Sequence, residues 1–187
     1  MTRNRFRILV LILSALALLG VVSPAAAATN ACATPWGSLA KSVHPNDPGR
    51  NFVHDIRAGK HACYDRVVID IAEVEGFESY SVRYVPQVRM DGSGAVVPLR
   101  GGAKLQVTIG ATGYDDDGDP TYTPAVPREA VGVAGFSTLR QVAWLGSYEG
   151  RSDVGIGTRA RLPFRVFVLE GGSSHVDRLV IDVAHRW

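Results

Sequence analysis

Strict alternation of apolar with mixed or polar positions recurs along the chain, most clearly in a phrase used twice. Its copies are Asp65-Arg66-Val67-Val68-Ile69-Asp70-Ile71-Ala72 and Asp177-Arg178-Leu179-Val180-Ile181-Asp182-Val183-Ala184. A period of two marks a strand with one face in a core. Val67, Ile69 and Ile71 are therefore expected inside, opposite Arg66, Val68 and Asp70, and Leu179, Ile181 and Val183 inside, opposite Arg178, Val180 and Asp182. A separation of 112 positions is too wide for a solenoid repeat. The copies instead suggest two equivalent strands. If they pair antiparallel, Arg66 faces Asp182 and Arg178 faces Asp70, each pair favouring that register by up to about 1 kcal/mol.

The same pattern predicts strands at Phe52–Arg57, with Arg57-Ala58-Gly59 turning, then at Ser81–Val88, Lys104–Ile109, Leu139–Leu145, Asp153–Gly157 and Phe164–Leu169. A short strand at Ala95–Leu99 holds Pro98, which suits a sheet edge. Asp91-Gly92-Ser93-Gly94 is a hairpin-type turn signal. From Gly110 to about Ser137 the alternation stops, and Gly113, Pro120, Pro124 and Pro127 indicate a long loop, either functional or ordered by its own contacts. Many short strands joined by Gly and Pro turns predict an all-β fold, a β-sandwich of two mainly antiparallel sheets.

Composition alters this picture mainly at the N-terminus. Arg3, Arg5 and Arg7 precede an apolar run from Ile8 to Val22, and Ser23 to Ala28 ends in small residues, the pattern of a secretory signal peptide over 1–28. As a helix the run would reach only about 22 Å, short of a ~30 Å hydrocarbon core, which favours a cleaved leader over the alternative of a retained anchor. Removal of 1–28 takes away three arginines and leaves 17 basic against 18 acidic side chains, a formal net of −1. The basic character thus belongs to the leader, and no electrostatic case remains for nucleic acid or for a polybasic membrane patch. Residues 29–50, with Pro35, Pro45, Pro48 and Gly49, read as an extended arm, and 51–187 as the sandwich domain. In an exported chain Cys32 and Cys63 are most simply a disulfide tying that arm. Lipidation of Cys32 is the rival, weakened by Thr29 where a lipobox prefers Leu and by the odd Cys63 it would leave.

Several motifs in order resemble a known family: His61-Ala62-Cys63-Tyr64 leading into the first phrase, Tyr84-Val85-Pro86-Gln87, Asp91-Gly92-Ser93-Gly94, Pro120-Thr121-Tyr122-Thr123 and Pro163-Phe164-Arg165-Val166-Phe167. From about Phe52 to the C-terminus the chain resembles the AMIN-like domain of secreted actinobacterial proteins. That family is similar to the AMIN domain, a β-sandwich that elsewhere localises cell-wall amidases and secretin channels by binding envelope polymers such as peptidoglycan. The resemblance implies a non-enzymatic, extracytoplasmic module whose partner is a cell-wall glycan or, alternatively, another secreted protein. It supplies no ligand-contact motif to carry over.

Catalytic signatures are weak. Neither Gly135-Phe136-Ser137-Thr138-Leu139 nor Gly150-Arg151-Ser152-Asp153-Val154 completes a nucleophile elbow, and histidines 44, 54, 61, 175 and 185 are scattered. Glu73 and Glu75 share a strand face about 7 Å apart, a spacing that glycoside hydrolysis can use but that more often belongs to a solvated rim. Asp115-Asp116-Asp117-Gly118-Asp119 offers clustered oxygens, but Pro120 stands where an EF-hand pattern needs Gly, so the run reads as a solvated loop. No cofactor, metal or catalytic residue is assigned, and the chain is expected to be a monomer. Glycan binding needs aromatic faces and, for carboxylates, the arginine fork. Arg83, Tyr84, Tyr114, Tyr122 and Arg165 are the candidate ligand residues, with the long loop as groove wall. For Tyr122 the pattern does not decide between exposure and burial, whereas Trp144 alternates with Val142 and is expected in the core.

Overall fold

The computed structural model describes residues 32–43, 51–73, 76–77, 79–90 and 92–187. The expected signal peptide, His44, Glu75 and Asp91 lie outside the described residues, and so does the side chain of Glu73. Eleven strands are described: β1 (Lys41–Val43), β2 (Asn51–Lys60), β3 (Tyr64–Glu73), β4 (Tyr80–Tyr84), β5 (Val88–Arg89), β6 (Val96–Val97), β7 (Ala103–Ile109), β8 (Leu139–Tyr148), β9 (Arg151–Thr158), β10 (Phe164–Leu169) and β11 (Val176–Ala184).

They form two facing antiparallel sheets, one ordered β1-β4-β7-β9-β8 and the other β10-β11-β3-β2, with β5-β6 as a separate hairpin. The duplicated phrase supplies the two central strands of the four-stranded sheet. β3 and β11 are antiparallel neighbours, with Arg66 opposite Asp182 and Asp70 opposite Arg178, the register their charges favour. Val67, Ile69 and Ile71 of β3 and Leu179, Ile181 and Val183 of β11 are fully buried. From the other sheet Val82, Leu105, Val107, Ile109, Val142, Val154 and Ile156 close the same core. Burying each such side chain stabilises by about 1.5–3 kcal/mol, which is why the inward register is strongly specified.

The structure refines two local expectations and corrects two others. The arm contains a strand, β1, which pairs with β4 through Lys41 and Val82. Arg57-Ala58-Gly59 does not turn, because β2 runs on to Lys60 and Gly59 sits opposite Arg66. Ser81–Val88 is not one strand but divides into β4 and β5. Val96 and Val97 form a short edge strand as expected, but in a sheet of two: they pair with β5 across the predicted turn, where Gly92 and Gly94 take positive φ. That hairpin folds over the outer side of β8 and β9, and Val88, Val97 and Leu99 pack on Ala143 and Leu145 in a second small core. Gly155 makes the overlay possible, since a Cβ there would lie 2.8 Å from Leu99 Cδ1 and 3.1 Å from Val88 Cγ1.

Residues 110–138 are the expected long connection, carrying only a 3-10 turn at Pro127–Glu129. It is pinned by its own contacts. Val53 N–H donates to Thr112 O, Gly113 N–H donates to Ser147 Oγ, and Thr121 Oγ1 donates to Val53 O. Asp115 faces its own loop, accepting from the N–H groups of Asp117 and Asp119. This gives the first carboxylate of the acidic run a turn-forming role.

Candidate functional site

The outer face of the four-stranded sheet presents a grid set by register. One row crosses Arg165, Asp182, Arg66 and Gly59, the next Phe167, Val180, Val68 and Arg57, and the third Leu169, Arg178, Asp70 and Asp55. Each row lies about 7 Å from the next, two residues along a strand.

Asp182 anchors the first row. Its carboxylate is fully buried and accepts three guanidinium N–H bonds, at 2.6 and 2.9 Å from Arg66 and 2.8 Å from Arg165. Arg165 then lies over Trp36 at 4.6 Å, Phe167 at 5.0 Å and Tyr64 at 5.6 Å from the ring centroids. Arg66 lies over Tyr64 and Phe167 at 5.4 and 5.6 Å. Trp36 meets Tyr64 edge-on at 5.6 Å, and His61 stacks on Tyr64 at 4.4 Å. The arm carrying Trp36 is fastened by the Cys32–Cys63 disulfide and by Phe164 N–H donating to Gly37 O. The result is a surface of planar cations layered on rings, suited to flat or amphipathic ligands.

Arg57 of the second row reaches across to the third and donates to both oxygens of Asp70, at 2.5 and 2.7 Å. Asp70 raises the Arg57 pKa above its ordinary value through this hydrogen bond, and Asp182 does the same for Arg66. Both guanidinium groups are therefore locked in the charged form. Arg178 stands opposite Asp70 in register, yet the carboxylate is already occupied by Arg57.

The five candidate ligand residues do not converge. Arg165 belongs to the face just described. Arg83 is exposed on the outer side of β4 in the other sheet, beside a depression of about 170 Å³ that Tyr80 and Arg151 also line. Tyr84 turns inward with Val82; its hydroxyl donates to Leu162 O and accepts from Leu162 N–H, and its ring meets Phe164 edge-on. Tyr114 and Tyr122 flank the acidic turn, which closes through a bridge between Tyr114 and Pro120. Tyr114 is exposed, whereas Tyr122 is partly buried against Trp144, their centroids 5.0 Å apart. Trp144 packs on the main core as expected.

Burial, with a smaller contribution from Asp55, pushes the Tyr122 pKa up from 10.0 to about 12. A raised folded-state pKa gives stability that is intact below pH 10 and is lost as pH rises towards 12. Because the ring is only half buried, solvent screening reduces this to about 1 kcal/mol. Tyr122→Phe is expected to flatten the fall in Tm between pH 10 and 12 while leaving Tm at pH 8 nearly unchanged. Thermal melts at stepped pH read this directly.

Trp36, Tyr64, Arg66 and Phe167 were not among the candidates. The signal for them is parity: Arg66 and Asp182 were placed on the outer face by alternation, and Tyr64 and Phe167 share that face.

These features define an all-β sandwich module with one arginine-and-aromatic face. The model of the AMIN-like domain family matches residues 51–185, and the chain belongs to that family. No curated protein and no solved structure matches it. The family indicates a cell-envelope-associated module, of a kind generally used for binding and localisation. Among the described residues no helix is long and apolar enough to cross a membrane.

Proposed function

We propose that the chain is an exported, non-catalytic module that binds a cell-envelope polymer, with peptidoglycan as the first expectation, through the outer face of β10, β11, β3 and β2. The observation that carries this reading is the layering of Arg165 over Trp36 and Phe167, with Asp182 fixing its position. Rings present faces to sugar C–H groups, while guanidinium forks read carboxylates. The ion-paired arginines hold charge and do not exchange protons, which suits recognition better than acid–base turnover. An exported location agrees with the leader-like N-terminus and the disulfide.

Disulfide-intact protein lacking residues 1–28 is expected to co-sediment with purified cell-wall sacculi. Paired Trp36→Ala and Arg165→Ala changes are expected to weaken retention about fivefold to tenfold, as loss of a cation–π contact would. Absence of retention by the unsubstituted protein would remove the reading.

A second reading, a secreted protein partner, is favoured by the edge of β10 beyond Phe164, whose own N–H is taken by Gly37 O. Phe164 N–H points away from β11, so the N–H groups of Val166 and Val168 share that edge, and neither has a backbone partner among the described residues. An added strand fits there. Crosslinking in culture separates the two readings, because only this one gives a protein adduct that survives wall digestion.

A further inference from the structure

Beside the aromatic cluster the same sheet face sinks into a trough of about 260 Å³, walled by Arg57, Arg66, Arg178 and Leu169 and floored by Val68 and Val180. This is below the roughly 300–1,000 Å³ of sites for drug-sized molecules, and so fits a fragment. We propose that the trough is a carboxylate subsite, taking the free chain end of a short peptide with a small apolar side chain. The inference goes beyond binding of an envelope polymer and stands or fails separately from it.

The reason lies in how the charges are shared. Arg57 is bound in bidentate fashion to Asp70, and Arg66 likewise to Asp182. Arg178 is left over: it is partly buried and has no hydrogen bond or ion pair among the described residues. The carboxylate opposite it in register is the one held by Arg57. A guanidinium at a protein surface with five unused donors is a receptor for a planar anion.

Four guanidinium groups on the grid, those of Arg57, Arg66, Arg165 and Arg178, face the three carboxylates of Asp55, Asp70 and Asp182. The surplus is a single positive charge, which matches a carboxylate better than a phosphate dianion. Planarity agrees, since a fork and a carboxylate pair in one plane. The apolar floor selects the rest of the ligand. Val180 is almost fully buried although it points outward, and Val68 beside it is partly open, so Val68 offers the accessible apolar surface. A methyl group next to the carboxylate would rest there.

The test titrates the full, disulfide-intact chain with N-acetyl-alanyl-alanine, followed by amide NMR. Saturable shifts centred on Val68, Arg178 and Val180 are expected, with the C-terminal amide of the same peptide giving none. Arg178→Gln is expected to weaken binding about tenfold or more, as loss of a charge-assisted hydrogen bond does. Arg178→Lys, which keeps the charge without the fork, is expected to fall between. Lys104→Gln, in β7 of the other sheet, should bind as the unsubstituted chain does. Equal response to acid and amide, no saturable shift, equal binding of inorganic phosphate, or unaltered binding by Arg178→Gln would each overturn the proposal. The acid–amide comparison needs no variant, so it decides even if a substitution impairs folding. Sacculus retention that survives Arg178→Gln alongside lost peptide binding would show the two activities to be separable.

Discussion

Asp182→Ala is expected to lower the folding free energy by about 3 kcal/mol, the lower end of the 3–5 kcal/mol seen when one partner of a buried ion pair is removed. Three guanidinium N–H groups lose their acceptor at once. The side chains of Arg66 and Arg165 retain 21% and 40% exposure, so their charges partly rehydrate, which places the loss low in that range. Asp182→Asn, which keeps an acceptor oxygen, should cost less. Urea unfolding reads the difference as a shift in midpoint at constant slope. Arg165 would also lose its anchor over Trp36, so sacculus retention should fall in the fraction that remains folded.

Reduction of the Cys32–Cys63 disulfide, or its replacement by serines, is the second large effect. The bridge closes a sequence separation of 31. On the chain-entropy model that constraint stabilises by about 3–4 kcal/mol. Melting with and without reductant should show the drop. The functional consequence is more specific than the energetic one. Trp36 lies four residues after Cys32, and its place over Arg165 depends on the arm being fastened. Retention on sacculi should therefore fall on reduction even at temperatures where the sandwich stays folded.

The sequence revealed the sandwich because its core strands alternate strictly, and a one-residue slip would turn Ile69 or Ile181 to water. It revealed the β3–β11 register because the charges of Arg66, Asp70, Arg178 and Asp182 complement one another only in that alignment. β1 escaped because three residues are too few for periodicity to register. The turn of the β5–β6 hairpin was legible at Asp91–Gly94, but its separation from the large sheets escaped because its two-residue strands look like continuations of their neighbours.

The candidate site was legible by residue type but not by face. Parity places Tyr84 inward with Val82 and Arg83 outward, on the sheet opposite to Arg165. The isolation of Arg178 was not legible at all. It arises because β2 contains a register shift between Val53 and Asp55 and delivers Arg57 to the carboxylate that the simple strand pair would have given to Arg178. A long-range competition of that kind leaves no trace in local pattern.

The hairpin laid over Gly155 has a consequence for how the molecule meets a large surface. It thickens one side of the slab with a second apolar layer, while the opposite side stays one sheet deep and carries the cations. The protein therefore has a front and a back. If the arginine-and-aromatic face is the one that binds, as proposed, copies spread on a flat polymer would all land the same way up, presenting the hairpin side to whatever passes above them.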